Sequence, residues 1–316
     1  MNRKWRCGVL VIAGLGLMLA SGDARAAAKA PAKPKVAARP DLTVPDPIYG
    51  VTIDGIQGLP DILASLQKLP RKPTVRIVFD EGMPPSYYRE AVLKIHRVAY
   101  ILGQPADSVY VKHYTLAGYK AQFQSFLNAF GNVIELWEIG NEVNGNWLGP
   151  CADVSAKVTA AYDLVKKAGG KTVLTFVYNE GQGCALTPEN CPRSAQYEMY
   201  NWANKYVPAR VKKGVDYVMY SHYPKNAPDF KPDWEQEFAR TGKLFPNAKL
   251  GFGELGTDGP EAEKAAMVEA YYPMTVHHPR YVKGFFWWYF RQDMVPNTTH
   301  QWEVLSQSIS KAESGK

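Results

Sequence analysis

From Tyr49 onward the chain alternates short β-rich runs with longer amphipathic stretches, and it does so eight times. No other feature limits the fold as much. Strands that alternate with helical segments at this spacing must pair in parallel and cross over through helices. The β-rich runs are Tyr49–Asp54, Thr74–Asp80, a third discussed below, Val133–Asn141, Thr172–Tyr178, Asp216–His222, Lys249–Glu254 and Val282–Tyr289. Helical patterns fall between them at Leu59–Leu69, Tyr88–Tyr100, Leu116–Phe130, Val154–Lys167, Gln196–Tyr206, Trp234–Phe245 and Glu261–Tyr271, with a last one from Trp302 onward. The third strand has two candidates, Ala99–Leu102 and Val109–Tyr114. Eight units over roughly 260 residues fit a closed α/β barrel better than an open doubly wound sheet. No glycine-rich phosphate loop follows the first strand, which removes the main support for a dinucleotide fold. The expected fold class is a single (β/α)8 TIM barrel spanning 48–316.

The residues before the barrel read differently. Arg3, Lys4 and Arg6 form a basic start, Val9–Ala20 is apolar, and Ala24-Arg25-Ala26 fits a small-x-small cleavage site. The apolar run is too short to span a bilayer, so 1–26 is expected to be a secretory signal peptide. Residues 27–47 are rich in Ala, Pro and Lys and are expected to form a flexible tether. An exported protein follows, periplasmic or extracellular, monomeric and without an integral membrane segment once the leader is removed. The formal charge of +7 belongs mostly to this front part. Residues 1–47 hold eight Lys/Arg and three acids, so 48–316 carries only +2. A basic surface for nucleic acid is therefore not expected.

Removal of the leader would take Cys7 and leave Cys151, Cys184 and Cys191, whose spacing matches no zinc pattern. In an exported protein a disulfide is the better reading, and any two of the three are candidates. Cys184 and Cys191 share a loop, Gly181–Arg193, expected at the rim on the strand-five side.

Chemistry is concentrated at two strand ends. Leu136-Trp137-Glu138-Ile139-Gly140-Asn141-Glu142 runs from an apolar strand into Asn-Glu and a Gly-, Asn- and Trp-rich loop. Leu250-Gly251-Phe252-Gly253-Glu254-Leu255-Gly256 repeats the order of strand, glutamate, loop. A barrel gathers the C-terminal ends of its strands on one rim, and three units separate these two ends. Two glutamates facing each other across a mouth are what retaining glycoside hydrolysis uses, with the carboxyls about 5 Å apart. One protonates the leaving oxygen and the other attacks the sugar carbon.

In these residues the chain resembles the clan A retaining glycoside hydrolases, the four-seven superfamily. The likeness rests on strand–Asn–Glu at strand four and Gly-Glu-x-Gly at strand seven. It implies Glu142 as acid/base, Glu254 as nucleophile and a carbohydrate as substrate, with no cofactor and no metal. Asn141 would then hydrogen-bond the hydroxyl beside the reacting carbon. The resemblance also points to Arg76 on strand two, which would keep Glu254 ionised. His222 and Tyr223 close strand six, with Tyr223 on the nucleophile. In the strand-eight run Gly284-Phe285-Phe286-Trp287-Trp288, Trp288 would form an apolar sugar floor. Where many members have Pro after Asn-Glu, this chain has Val143.

Several of these residues admit a second role. Glu138 shares the strand parity of Glu142 and is expected deeper in the barrel, in a structural role and as a partner of Arg76, which competes with Arg76 serving Glu254. Trp287 is expected in the core and Trp147 as an outer sugar platform. Tyr87, Tyr88 and Tyr114 read as half-buried loop aromatics. Asp54, Asp80, Glu81 and Glu180 lie at strand ends and keep a metal-dependent barrel in view, although no paired-His spacing accompanies them. The same two glutamates would also serve a transglycosylase, and the same aromatics a carbohydrate-binding barrel without catalysis.

Overall fold

The computed structural model describes residues 42, 44, 46–178, 195–224 and 232–314. The expected leader, most of the expected tether, Glu180, Cys184, Cys191 and the loop around them lie outside the described residues. Cys151 is a buried free thiol.

Eight parallel strands close into a barrel in chain order, with every strand paired to its sequence neighbours and β8 paired back to β1. The strands are β1 (Ile48–Ile53), β2 (Thr74–Val78), β3 (Tyr100–Gln104), β4 (Leu136–Gly140), β5 (Lys171–Val177), β6 (Tyr217–His222), β7 (Lys249–Leu255) and β8 (Tyr281–Trp287). Around them lie α1 (Leu59–Gln67), α2 (Pro85–Val98), α3 (Leu116–Phe130), α4 (Cys151–Lys167), α5 (Met199–Tyr206), α6 (Ala209–Gly214), α7 (Trp234–Leu244), α8 (Glu261–Tyr271), α9 (Phe290–Asp293) and α10 (His300–Ser314). This is the (β/α)8 barrel that the alternation predicts, and the frame that the clan A resemblance requires.

Local chemistry explains where the elements differ from the sequence reading. Of the two candidates for the third strand, the first is correct. Val109–Tyr114 lies instead in a 3-10 turn, Ser108–His113. The Asp107 carboxylate caps that turn by accepting from the Val109 N–H at 3.0 Å, which holds the backbone out of the extended form. The eighth strand stops at Trp287, and the chain turns into α9. The Trp287 indole N–H donates to Asp293 at 3.0 Å, which ties that turn back onto the strand. Trp288 therefore stands just beyond the strand end. Helices α6 and α9 are too short to leave a periodic trace in sequence.

Side chains that point into the barrel form layers. The lowest is apolar: Ile48, Leu102, Leu136, Val173, Met219 and Val282 form one buried cluster. Val44 packs into the same cluster, so order reaches into the segment read as tether. Above it lies a polar layer of Thr52, Arg76, Gln104, Glu138 and Thr175, all fully or almost fully buried. The larger apolar cluster fills the space between the outer barrel wall and the helices, where Trp137, Phe176, Phe252 and Trp287 meet α3, α4, α7 and α8. Because the lower barrel is plugged, chemistry is confined to the upper rim.

Candidate active site

Both glutamates stand just above the polar layer, and each follows a break in strand register. Between β6 and β7, Tyr220 pairs with Phe252 but Ser221 pairs with Glu254, which leaves Gly253 as an extra residue. Without that bulge Glu254 would share the outward face of Phe252; with it, the carboxyl turns inward. The bulge requires glycine, since a Cβ on Gly253 would lie 2.9 Å from both Met219 and Thr175. Between β4 and β5 the register shifts between Glu138 and Gly140. Simple alternation therefore fails to explain how Glu138 and Glu142 come to the same side. Glu142 gets there through its own backbone, which is left-handed at φ 50°. That conformation is uncommon for a non-glycine residue and costs on the order of 1 kcal/mol or more. It lets Asn141 and Glu142, adjacent in sequence, both reach the mouth.

Arg76 contacts both of its expected partners. Its Nε donates to Glu138 at 2.9 Å, and its Nη1 donates to Glu254 at 2.6 Å. The guanidinium is 0 % exposed. A buried cation needs paired counter-charges, and one carboxylate lies on each side of it. Thr175 donates to the other Glu138 oxygen at 2.5 Å, which fixes Glu138 as a structural partner beneath the chemistry. The second oxygen of Glu254 accepts from the Tyr223 hydroxyl at 2.5 Å. The Asn141 amide reaches Glu254 at 3.5 Å, and its carbonyl accepts from the Ser108 N–H at 3.0 Å.

Glu142 has different company. Its Oε1 accepts from Ser221 at 2.6 Å and its Oε2 from Ser108 at 2.9 Å. No cation touches it among the described residues. Burial raises its pKa first, and the nearby charge of Glu254 raises it further; Asp107 adds to the rise, while the two serine hydroxyls oppose it. The balance leaves Glu142 pushed up to about 8. Asp107 is itself raised, by burial and then by Glu254. Among the described residues the carboxylates of this mouth outnumber the cations, which favours retention of a proton on the least compensated group.

The aromatic predictions divide. Trp288 is half-buried, with the Arg76 guanidinium 5.4 Å from its ring centre, so it borders the pair. Trp147 folds back onto the turn after β3. Its indole N–H donates to the Ser108 hydroxyl at 3.1 Å, beside the acid/base candidate. Gly145 permits that fold-back, because a Cβ there would sit 2.5 Å from the Trp147 ring. His222 is not in this network. Ser221 takes the inward position on β6, so alternation turns His222 outward. There it packs against Trp234 at 4.9 Å between ring centres and hydrogen-bonds the Tyr271 hydroxyl at 3.0 Å. Burial lowers its pKa to about 3, so the ring is neutral.

The remaining strand-end acids among the described residues have local partners. Asp54 pairs with Arg291 at 2.7 Å, Asp80 accepts from Tyr88 at 2.8 Å, and Glu81 meets His113 at 3.4 Å. Sequence reasoning missed Ser108, Ser221, Asp107 and Thr175. The first and third lie just before Val109–Tyr114, the segment read as a possible strand, where Asp107 caps the turn that Ser108 opens. The other two are inward residues of β6 and β5 that strand parity, applied from a known inward neighbour, would have found.

No protein-family model and no curated protein matches the chain. Among solved structures, the chain is similar to Saccharomyces cerevisiae Gas2p. The complex of Gas2p with laminaritriose and laminaritetraose is 13 % identical at a TM-score of 0.51, over 84 % of this chain and 64 % of that one. A point mutant with laminaritetraose and laminaripentaose is 13 % identical at a TM-score of 0.52, over 84 % and 63 %. At such identity the likeness is one of fold. This chain spans a little under two thirds of the length of those structures.

Proposed function

We propose that this chain is a retaining glycoside hydrolase of an exported type, acting on a poly- or oligosaccharide through a covalent glycosyl-enzyme. The observation that carries the reading is the unlike setting of two glutamates on one rim. Glu142 is raised by burial and by Glu254, which suits a group that must hold a proton. Glu254 is paired with Arg76 and Tyr223, which suits a fixed carboxylate.

In the first step a Glu254 oxygen bonds to the anomeric carbon as the glycosidic C–O bond breaks. The proton on Glu142 passes to the departing oxygen. In the second step Glu142 takes a proton from water, the water oxygen bonds to the anomeric carbon, and Glu254 leaves as a carboxylate. Asn141, hydrogen-bonded to Glu254, lies where it can also meet the hydroxyl next to the reacting carbon. Trp288 offers a ring face to the sugar. Export rests on the basic start, apolar run and small-residue site of 1–26.

The oligosaccharides bound in the Gas2p structures make laminari-oligosaccharides the first substrates to test. The experiment is a screen of aryl glycosides and polysaccharides, laminari-oligosaccharides included, with wild type and Glu254→Ala. Turnover by wild type that Glu254→Ala lacks supports the proposal. Binding without turnover would identify a carbohydrate-binding barrel instead. Adding an acceptor sugar and analysing the products separates transfer from hydrolysis.

A further inference from the structure

The two ends of the barrel carry opposite charge. At the mouth, Asp54, Asp80 and Glu81 stand on the same rim as Glu142, Glu254 and Asp107. At the far end, where helices finish and strands begin, lysine and arginine take over. Lys68, Arg97, Lys167, Lys213 and Lys243 stand in, or directly after, the last turns of α1, α2, α4, α6 and α7. Each is exposed, and no ion pair of theirs is found among the described residues. Arg71, Lys72, Lys171 and Lys249 add to the same end, in the loop before β2 and on the first residues of β5 and β7. Acids there are met by neighbouring cations: Lys249 lies 3.4 Å from Asp46, Lys166 lies 2.8 Å from Asp216, and Arg71 lies 3.1 Å from Glu313.

A cation in the last turn of a helix complements the helix dipole, which explains one such residue at a time. It does not explain Arg71, Lys72, Lys171 and Lys249, which lie outside the helices. The net charge of +2 over 48–316 conceals the split, because the acids of the mouth end offset the cations of the far end. The chain also enters the barrel at this far end, where Val44 packs into the lowest apolar layer. The segment 27–41 that leads to it holds Lys29, Lys33, Lys35 and Arg39 against Asp41.

We propose that the barrel end opposite the mouth is a docking face for an anionic lipid bilayer. The cations are spread over separate helices around the barrel end, so they match a broad charged surface better than a single extended chain. The exposed large apolar side chains among the described residues, Tyr87, Leu93, Val109, Tyr110 and Leu116, all lie elsewhere. The contact is therefore electrostatic and inserts no apolar side chain into the lipid. A negative leaflet attracts clusters of Lys and Arg, and each one near its surface contributes about fivefold to partitioning. The basic segment before Val44 joins the barrel at the same face and adds to the attraction. With this face on the bilayer, the mouth and its carboxylates point away from a surface of like charge. The inference holds whether or not the mouth is catalytic.

The test is sedimentation of the full chain with two kinds of vesicle, phosphatidylcholine alone and equal parts phosphatidylcholine and phosphatidylglycerol. The quantity read is the ratio of partitioning into the second kind over the first. For the wild type this ratio should be large at about 0.1 M salt and fall toward one at about 1 M, where the screening length is about 3 Å. A variant combining Lys68→Gln, Arg97→Gln, Lys167→Gln, Lys213→Gln and Lys243→Gln should lower the ratio by roughly 100-fold. A control combining Arg89→Gln, Lys112→Gln and Lys120→Gln removes exposed cations from the mouth half of the barrel. It should lower the ratio by less than about twofold, because those sites lie beyond a screening length from the bilayer. All variants keep residues 1–41, so binding through that segment is common to them and drops out of the comparison.

Circular dichroism confirms that each variant is folded. If the combined variant does not fold, Lys68→Gln and Lys213→Gln are read singly, each expected to lower the ratio about fivefold. A wild-type ratio near one at about 0.1 M salt overturns the proposal. An equal loss per cation in the control also overturns it, since the attraction would then follow total charge and not this face. Dextran sulfate serves as a soluble polyanion. Binding to it that depends on the same lysines and arginine, with a vesicle ratio near one, would assign the face to a chain-like polyanion and overturn the lipid assignment.

Discussion

The ends of β4 and β7 carry the same side chain and treat it in opposite ways. Each glutamate follows a register break that re-aims it. Beyond that they diverge. Glu254 follows the Gly253 bulge within β7 and is met by a cation and a phenol. Glu142 sits on left-handed backbone and is met by two hydroxyls, with Glu254 and Asp107 nearby. Apart from Glu254 itself, none of those distinguishing partners comes from β4 or β7. They come from β2, β6, the turn after β3 and the residue after β6. Two like carboxyls are thus given unlike surroundings, mostly by neighbours from distant parts of the chain.

The strongest way to break this comparison is to remove each carboxyl. Glu254→Ala and Glu142→Ala should each lose on the order of 10⁴-fold or more in kcat. An aryl glycoside whose leaving group needs no proton should rescue part of the Glu142→Ala loss and none of the Glu254→Ala loss. Equal rescue of both would show that the roles are not divided.

Next in size is Arg76→Met, which leaves two buried carboxylates without their cation. Denaturant unfolding should report a loss of about 3–5 kcal/mol. A loss under about 1 kcal/mol would mean that water already compensates the pair.

A smaller effect of opposite sign is expected for Glu142→Gln. The folded protein holds this carboxyl at about 8 against 4.5 for the ordinary group. A raised acid contributes its stability fully below 4.5 and loses it as pH rises toward 8. At pH 7 the wild type therefore carries a penalty that glutamine lacks. Glu142→Gln should be more stable there by about 2 kcal/mol, with water at the mouth damping the full effect. At pH 4 the difference should vanish. Melting temperatures at the two pH values test this.

Tyr223→Phe should have the smallest of these effects. It removes one hydrogen bond to Glu254, worth about 1–2 kcal/mol in the transition state, so kcat should fall roughly tenfold with little change in melting temperature.

The sequence carried the architecture well for a physical reason: a half-hidden element advertises its period. The expected Leu116–Phe130 and Glu261–Tyr271 coincide with the observed α3 and α8. Val109–Tyr114 was ambiguous because a single capping carboxylate, that of Asp107, decides it. In the site, Glu142, Glu254, Asn141, Arg76, Tyr223, Trp288 and Trp147 come to one place, and His222 does not. That exception is informative. His222 and Ser221 are neighbours on β6, and only knowledge of which face is inward separates them.

What the sequence determined by itself is the set of periodic facts. Strand and helix alternate eight times, and two glutamates end strands three units apart. Those follow from burial, which acts along the chain at fixed spacing. The tertiary structure decided what lies across the barrel. It made Arg76 a bridge between Glu138 and Glu254, placed Trp147 on Ser108, and gave Glu142 its hydroxyls and its raised proton affinity. Those depend on distances of 2.6 to 3.5 Å between strands and turns far apart in sequence. Two one-residue register breaks set them, and no hydrophobic period records such breaks.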